Sequence, residues 1–574
     1  MFRKNEQHRQ PALWSGLNEL PEKLKVRLEN SWAGVFYELV FAKIDEGVCE
    51  GLYSEKASRP NTAVNILVGL SFLKNGYGWS DEEMYDHYCY DIQVRYALGL
   101  RELGAGEFDL RTMYEFRGRL SRHMQETGED LIGQIFAQIS DVQMQQLGIK
   151  SNHLRTDSTQ IGSNIREMSR LQLLVEVIQR VYRGLSETDQ AKWADEFEPY
   201  LKGSSGQYLY RLKGPGATQP HLETIGQLMD QLLEQLEPTY SQRDIYALLS
   251  RVFAEHFQRQ EAQVQPKAGE AISPNSLQSP DDWEATFRSK GGEGHIGYVA
   301  NVTETCHPDN DFQLILHTQT QPNTRDDAQM LAAEIPTLVE RTAVEKIFSD
   351  GNYGSPEVDA LMAQHHIELH QSAIRGSQPR PDVFNLASCQ LEFDPDQPQQ
   401  LLAVTAPSGE RILVQPGRTD QRFILRFQQD PLAVQDDPPP PSSPVTHYIS
   451  QHQVEVAVRR QRALAFHQAD TNPRAAIEAT VYAIKRPFGN DKLPVRGRFR
   501  VGLAIIGSAA MVNLRRIHRF RLDQRQKLAK AAKIQAQNAS GFSLPHFFHR
   551  LIALLLVHIC SIRSPRLLFR RVFS

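Results

Sequence analysis

Three charged residues in the C-terminal third of the chain have a spacing that suits a chemical site. In the segment RAAIEATVYAIK, Arg474, Glu478 and Lys485 stand at offsets of zero, four and eleven. On one α-helix these offsets correspond to about 0°, 40° and 20°, so we predict that the three side chains share a stripe. Most charged stripes are solvated faces with ion pairs. Because Arg before Glu is the less favourable i,i+4 order, and because apolar residues border the stripe, a solvated face explains only part of the pattern.

Two more carboxylates can join Glu478. Asp157 lies inside a short alternating run that predicts a strand, and Asp350 ends a second predicted strand. Carboxylates on different elements of one sheet can converge at its carboxyl edge, where their repulsion requires cations. Two Mg²⁺ ions about 4 Å apart would activate a water or 3′-hydroxyl and stabilise the leaving oxygen of a phosphoryl displacement. Arg474 and Lys485 would then bind phosphates.

Each carboxylate also has a simpler explanation. Asp157 precedes a serine and a threonine and can hydrogen-bond its own turn. Asp350 and Gly351 form a common strand-ending pair. The order of strand Asp, strand-end Asp and helix Glu with flanking cations favours a joint site. The residues alone leave open whether the three carboxylates meet.

The composition is that of an ordinary globular protein with one unusual region. The 574 residues, 40% of them hydrophobic, are enough for several domains of about 150 residues each. With a net charge of −4, any nucleic-acid binding must depend on local patches. Residues 485–550 contain fifteen Lys or Arg against two acids, so this part of the chain is strongly basic.

The cysteines and apolar segments predict a reducing, intracellular location. The five cysteines are far apart and form no C-x-x-C pair, which argues against a structural zinc site or a disulfide framework (Cys49, Cys89, Cys306, Cys389, Cys560). The polar opening MFRKNEQHRQPALWSG lacks signal-peptide regions. The stretch LIALLLVHICSI is shorter than the roughly 20 residues that span a bilayer, so we expect a packing or membrane-surface helix and no membrane span.

Periodicity divides the first half of the chain into three parts. Residues 1–145 form a helical N-terminal domain in this prediction, with Ser80 as the N-cap of one helix. Residues 146–165 contain the first strand, which includes Asp157. Residues 166–289 return to helical periodicity and are predicted to be a mostly helical insertion.

Strands and helices alternate in the second half. Residues 290–375 continue an α/β sheet, with Ser355 and Pro356 predicted to begin one helix. Residues 376–449 form a Pro/Gln-rich, β-like insertion or linker that ends in DDPPPPSSP. Residues 450–515 hold the helix with Glu478 and a basic segment, and residues 516–574 are a basic, then apolar, tail.

The basic segment KRPFGNDKLPVRGRFR suggests contacts with a phosphate backbone. Alternation places Arg496, Arg498 and Arg500 on one side of an extended segment, a shape suited to DNA. A solvated turn is the alternative. The following RRIHRFRLDQRQKLAKAAK is either a solvated helix or a second DNA contact.

Several stretches resemble a known family. RTDSTQIGSNI, IFSDGNYGSPE and RAAIEATVYAIKRPFGNDKLPVRGRFRV resemble the three catalytic blocks of DDE transposases of bacterial insertion sequences, in the long-chain branch numbered eleven eighty-two. LYSEKASRPNTAVNILVGLSFLKNGYGWSDEEM resembles an InsH-like helical N-terminal domain. The resemblance covers most of residues 20–520. It implies an α/β, RNase H-like catalytic core, with a mixed five-stranded sheet interrupted by insertions, plus an all-α N-terminal domain.

The resemblance also implies an activity. Asp157, Asp350 and Glu478 would hold two Mg²⁺ or Mn²⁺ ions. The protein would nick DNA at the terminal inverted repeats of its own element and join the freed 3′-hydroxyl to target DNA. Arg474 and Lys485 would contact the phosphate near the transferred end, and the N-terminal helical domain would help to recognise the DNA ends. A homodimer on paired ends, acting in the bacterial cytoplasm on the nucleoid, is the expected assembly.

Two departures from the family and two other functions stay open. The family often has a Tyr three residues before the Arg, where this chain has Thr471. Residues 376–445 and the tail after residue 540 lie outside the resemblance. An RNase H-like nuclease without strand transfer and a non-catalytic DNA-binding remnant of a transposase are the alternatives. The remnant would not need three mutually repelling carboxylates.

Overall fold

The structure is a computed structural model. It describes residues 1–10, 19–56, 60–102, 104–212, 216–260, 263–373, 380, 383–395, 400–417, 422–428, 431, 444–467, 472–489 and 492–539. The predictions for Thr471, for the proline run 438–441 and for the apolar stretch 551–562 concern positions outside the described residues.

The chain begins with helices. Those before the first strand are α1 Glu22–Glu29, α2 Trp32–Leu39, α3 Val64–Tyr77, α4 Asp81–Tyr90, α5 Ile92–Ala97, α6 Leu110–Thr127 and α7 Leu131–Leu147. The predicted N-cap Ser80 is confirmed: its side chain accepts from the Glu83 N–H, and Glu83 closes a capping box. Gly78, at φ +75°, ends α3 in the left-handed conformation that a helix C-terminus favours.

A mixed sheet follows, interrupted by insertions. Its strands are β1 His153–Gly162, β4 Thr286–Lys290, β5 Glu293–Thr305, β6 Ile315–Pro322, β7 Lys346–Ser349 and β8 Glu368–Gln371. The order is β4-β5-β1-β7-β8, and β6 also pairs with β5. Strands β4, β5, β6 and β1 are joined by antiparallel pairings, whereas β1, β7 and β8 run parallel. The sheet therefore has six strands instead of the predicted five, because β4 pairs with the first residues of the long strand β5.

The parallel part of the sheet has the predicted strand and helix alternation. Helix α14 Asp327–Arg341 connects β6 to β7, and α15 Pro356–Gln364 connects β7 to β8. Ser355 caps α15 by accepting from the Val358 N–H, and Pro356 occupies the first helical position, both as predicted. The α/β class is confirmed by this arrangement.

The segment between β1 and β4 builds a separate hydrophobic core. It contains α8 Arg170–Gly184, α9 Glu187–Lys192, α10 Ala194–Leu201, α11 Ser205–Tyr210, α12 Thr218–Tyr240, α13 Asp244–His256 and the hairpin of β2 Phe257–Gln260 with β3 Gln263–Pro266. Its buried residues, from Leu171 to Leu277, pack with one another.

Two small antiparallel sheets follow β8. One contains β9 Gln390–Phe393, β10 Leu401–Thr405 and β11 Arg411–Leu413, and the other contains β12 Gln415–Pro416, β13 Arg422–Phe427 and β14 Val445–Ser450. Together with α16 Gln451–His467 they surround a third core. The β-like segments of this region thus form strands of their own instead of extending the central sheet.

Two C-terminal helices return to the central sheet. They are α17 Ile477–Lys485 and the long α18 Arg498–Ala539. A Cβ on Gly507 would lie 2.9 Å from the Asn75 Cβ, so the glycine permits a close approach of α18 to α3. One hydrophobic core consequently includes residues of the first helices, the sheet and α18. Among the helices that the structure describes, none has the length and apolarity needed to cross a bilayer.

Candidate active site

Asp157, on β1, and Asp350, the residue that follows β7, occupy neighbouring positions on two parallel strands and their continuation. The register of β1 and β7 pairs Arg155 with Phe348, and each aspartate follows its partner in this pair by two residues. Neighbouring strands are about 4.8 Å apart and side chains alternate with a period of two, so the two carboxylates belong to one face at one end of the pair. Asp157 accepts from the Ser158 N–H at 2.9 Å, and Asp350 accepts from the Asn352 N–H at 2.8 Å.

Glu478 is in the first turn of α17, but Arg474 is not in that helix. Residues 473–476 form a turn and the α-helix begins at Ile477, so the predicted stripe on one helix is wrong for Arg474. The Pro473 carbonyl, which would accept from the Ile477 N–H in a continuous helix, accepts instead from Arg155 at 2.7 Å. The Ile477 N–H donates to the Arg474 carbonyl at 2.9 Å.

Arg474 connects two of the three carboxylates. Its Nη2 lies 3.1 Å from Asp157 Oδ2, and its Nη1 lies 3.7 Å from Glu478 Oε1. The Glu478 side chain is 69% exposed, whereas that of Asp157 is 13% exposed. Burial raises the pKa of Asp157 to about 6. Arg474 opposes this rise, whereas Asp350 and Glu478 add to it.

Lys485, the last residue of α17, contacts the first strand. Its Nζ donates to the Thr159 hydroxyl at 3.1 Å and to the Gln160 carbonyl at 3.4 Å. Lys485 therefore reaches the same strand as Asp157, two to three residues further along the chain. The structure brings Asp157, Asp350, Arg474, Glu478 and Lys485 to the middle of β1, just beyond the end of β7.

The side chains partly suit a metal ion. Within the described part of the chain, no group of three or more His, Cys, Asp or Glu side chains is placed to hold one. The donor chemistry suits a hard cation, because the carboxylates of Asp157 and Asp350 follow the same register pair of β1 and β7 by two residues each. The Arg474 guanidinium occupies the place between Asp157 and Glu478. A cation there requires the Arg474 side chain to move.

The predicted row of arginines does not form on an extended segment. Arg498 and Arg500 lie in the first turn of α18. Residues two apart in an α-helix are rotated by about 200° around its axis, so the two side chains point to nearly opposite sides. Arg496 donates to the Asn164 carbonyl at 2.6 Å and pairs with Asp281 at 3.3 Å. Arg498 lies 3.6 Å from Glu284, and Arg500 is exposed. The three cations therefore face three different environments.

Comparison with known proteins gives one match. Residues 25–119 match the family model described as a transposase domain, DUF772. No curated protein and no solved structure matches the chain significantly. The matched residues lie in the helical part of the chain, from α1 to α6, outside the sheet with the three carboxylates. This match supports a transposase family, which suggests a DNA-processing enzyme with DNA as its partner.

A buried ion-pair network beneath the candidate site was not predicted from the sequence. Glu304, on β5 opposite Arg155, is fully buried and lies 2.6 Å from both Arg155 and Arg516. The Thr480 hydroxyl, on α17, lies 2.9 Å from Glu304. Arg155 also donates to the Pro473 carbonyl. The network thus ties the strand with Asp157 to the turn and the helix that carry Arg474 and Glu478.

Asp327, the first residue of α14, is a fourth carboxylate near this end of the sheet. It is buried, and its Oδ1 has no hydrogen-bond partner among the described residues. Burial raises the pKa of Asp327, the Ser158 hydroxyl opposes this rise, and Asp350 adds to it. In the sequence, Asp327 resembles an ordinary acidic residue of a helical first turn, so no local signal distinguishes it.

Proposed function

We propose that this protein is a DDE-type transposase that cuts DNA at the ends of its own element and transfers the 3′-hydroxyl ends to target DNA. The observation that carries the proposal is the position of Asp157 beside Asp350 on parallel strands, with Glu478 connected to Asp157 through Arg474. The match of residues 25–119 to a transposase domain independently supports the transposase part of this proposal.

In this proposal the chain's own residues have distinct roles. Asp157, Asp350 and Glu478 would hold Mg²⁺ or Mn²⁺, which when bound supplies an activated oxygen nucleophile and charge stabilisation for phosphoryl transfer. Arg474 exchanges its carboxylate partners for a DNA phosphate, since a guanidinium binds both kinds of oxygen pair. Lys485 positions a second phosphate oxygen from its place beside Thr159 on β1.

The proposal also covers the fold of the catalytic core, the branch of the family, the place of action and the assembly. The mixed sheet with β1, β7 and β8 in parallel agrees with an RNase H-like catalytic core. We also propose the long-chain branch numbered eleven eighty-two, an InsH-like N-terminal domain, action on the nucleoid, and a homodimer. Two equivalent DNA ends favour an assembly with two-fold symmetry.

The test uses the purified full chain and a plasmid that carries its gene with the flanking DNA. Reactions contain Mg²⁺ or EDTA, and the DNA ends are mapped by sequencing. Glu478→Gln and Asp157→Asn remove one charge each at the site with little change in shape. Asp86→Asn, an exposed residue of α4, is the matched control. We expect metal-dependent cuts at paired inverted repeats with the wild type and the control, and loss of both cutting and joining in the two site variants.

Each alternative predicts a different product. Cuts without joined products would identify a nuclease that lacks strand transfer. Specific DNA binding without metal-dependent cuts would identify a non-catalytic remnant. Cuts that persist at the wild-type rate in Glu478→Gln and Asp157→Asn would overturn the assignment of the carboxylates, whatever the products are.

A further inference from the structure

A cleft of about 450 Å³ lies between the first helices and the segment that leads into α18. Its lining includes Lys74 and Arg117 from the matched transposase domain and Arg496 and Arg500 from the C-terminal part of the chain. Asp81 is its acidic residue. The cleft is therefore strongly basic and is built jointly by two distant parts of the sequence.

Positive charge in the cleft exceeds what Asp81 can neutralise. Asp81 Oδ1 lies 3.2 Å from Lys74 Nζ and 2.6 Å from Arg117 Nη1, so two cations share one carboxylate. Burial lowers the pKa of Lys74, Asp81 opposes this change, and Arg117 and Arg500 add to it. The Arg117 Nε is buried and has no hydrogen-bond partner among the described residues. A buried donor without a partner costs free energy, so Asp81 does not satisfy all of the Arg117 guanidinium.

Arg500 is the cation best placed to receive a ligand. Its side chain is exposed at the cleft and makes no hydrogen bond or ion pair within the described ranges of the chain. Arg496, in contrast, is already paired with Asp281. Tyr114, 47% exposed, lies at the same cleft and offers a phenol ring and hydroxyl.

We infer that this cleft binds a backbone phosphate of DNA, with Arg500, Arg117 and Lys74 as its cationic partners. Phosphate matches the chemistry because its oxygens accept several charge-assisted hydrogen bonds from a guanidinium and an ammonium at once. The inference rests on the proposed function, since it takes DNA as the partner. It adds a contact with the DNA backbone that is separate from the site of Asp157, Asp350 and Glu478.

The cleft lies within reach of the strand that carries Asp157. Asn164 lines the cleft, and its N–H donates to the Val495 carbonyl at 2.9 Å. Asn164 follows Asp157 by seven positions along β1 and its extension, a distance of at most about 23 Å at roughly 3.3 Å per residue. Since one DNA strand carries a phosphate every 3.4 Å or so along the axis, the proposed contact falls on the order of ten base pairs or fewer from the cut, once the side chains that reach the DNA are included.

The test measures DNA binding in EDTA, where no cutting occurs. Fluorescence anisotropy with a labelled duplex of about 30 base pairs gives the association constant of each variant at several salt concentrations. Arg500→Gln removes the unpaired cation, and Arg117→Gln removes the one shared with Asp81. Arg111→Gln is the matched control on α6, about 120° around the helix from Arg117, with its side chain 82% exposed and paired to Glu115. Thermal melts verify that each variant is folded.

We expect the salt dependence to identify the contact. One lost phosphate contact lowers the slope of log K against log [salt] by about 0.9. Between about 50 and 200 mM salt, wild type should therefore lose roughly 3.5-fold more affinity than Arg500→Gln. Arg111→Gln should behave as wild type, and Arg117→Gln should follow Arg500→Gln.

Two results would overturn the inference. One is equal slopes for Arg500→Gln, Arg111→Gln and wild type. The other is binding of inorganic phosphate alone, in which phosphate protects the wild type but not Arg500→Gln from thermal unfolding while DNA affinity is the same in both. Failure of the proposed function is seen separately, because the plasmid assay can lack cuts while the slopes still differ.

Discussion

Arg474 Nη2 lies 3.1 Å from Asp157 Oδ2, an ion pair between residues 317 positions apart in the chain. Burial raises the pKa of this carboxyl to about 6 even though the arginine beside it opposes the rise. In the protein without DNA, Arg474 acts as an internal counter-ion. The same guanidinium is the proposed phosphate ligand, so binding of metal and DNA requires an exchange of partners.

Removal of this counter-ion should strengthen metal binding by the DNA-free protein. In the wild type, a charge-assisted hydrogen bond between Arg474 and Asp157, worth about 1.5 kcal/mol, must break before the metal binds. Arg474→Gln removes this cost, so Mn²⁺ should bind about tenfold more tightly. Free Mn²⁺ is measured by electron paramagnetic resonance at about pH 8, well above the pKa of Asp157, which rises further when the arginine is lost. Arg111→Gln should leave Mn²⁺ affinity unchanged. Weaker or equal binding by Arg474→Gln would show that the arginine does not compete with the metal.

The buried network around Glu304 should stabilise the helix that carries Glu478. Thr480→Val keeps the shape of the side chain but removes the hydroxyl that contacts both Glu304 and Arg516. Because buried charged partners lose a hydrogen bond, the free energy of unfolding should fall by about 1–3 kcal/mol in urea denaturation. Plasmid cutting should decrease as well, since α17 loses a contact with the sheet.

A matched substitution separates this effect from the general cost of replacing a threonine in a helix. Thr224 is exposed on α12, and its hydroxyl donates to the Pro220 carbonyl one turn earlier. Thr224→Val should change the free energy of unfolding by less than about 0.5 kcal/mol. If both variants lose equal stability, the Glu304 network does not hold α17 in place.

Local signals in the sequence were sufficient for the elements that position the two aspartates. The alternating run around Asp157 and the Ser355–Pro356 helix start are confirmed, because side-chain alternation and N-capping depend only on neighbouring residues. The position of Asp350 after β7 is likewise set by a short apolar run and a turn pair. These features bring two of the carboxylates to one edge of the sheet.

The start of α17 could not be predicted, because a distant residue determines it. Arg155 donates to the Pro473 carbonyl, which is more than 300 residues away in the chain. This hydrogen bond occupies the carbonyl that would accept from the Ile477 N–H in a continuous helix. The start of α18 has a similar cause. The N–H groups of Gly497 and Arg498 donate to the carboxylates of Asp282 and Glu284, which cap the helix from another part of the chain.

Arg498 should contribute to stability rather than to DNA affinity. Its side chain lies 3.6 Å from Glu284 and 3.4 Å from Gln321, beside the start of α18. Arg498→Gln should therefore lower the free energy of unfolding by about 1 kcal/mol, as expected for a partly exposed ion pair. The salt slope of DNA binding should stay within about 0.3 of wild type, in contrast to Arg500→Gln. A slope lowered by about 0.9 would instead identify Arg498 as a phosphate ligand.

His256 should make the helical insertion sensitive to acid. The residue is buried at the end of α13, and neither ring nitrogen has a hydrogen-bond partner among the described residues. Burial lowers the pKa of His256 to about 4, and Arg170 and Lys267 add to this change. The folded state therefore binds fewer protons than the unfolded state between about pH 6.5 and 4. Stability is complete above this window and falls as the pH decreases through it.

The loss should amount to about 2 kcal/mol between pH 7.5 and pH 5 if the unfolded pKa is about 6.5. His256→Leu removes the titrating group and should abolish that part of the loss, so the variant gains stability relative to wild type at pH 5. Urea denaturation is followed by tryptophan fluorescence, to which Trp193, buried in the same core, contributes. His452→Gln, an exposed histidine on α16, is the control and should keep the wild-type pH dependence. Leucine cannot be protonated. If His256→Leu keeps the acid sensitivity of the wild type, other groups must cause that sensitivity.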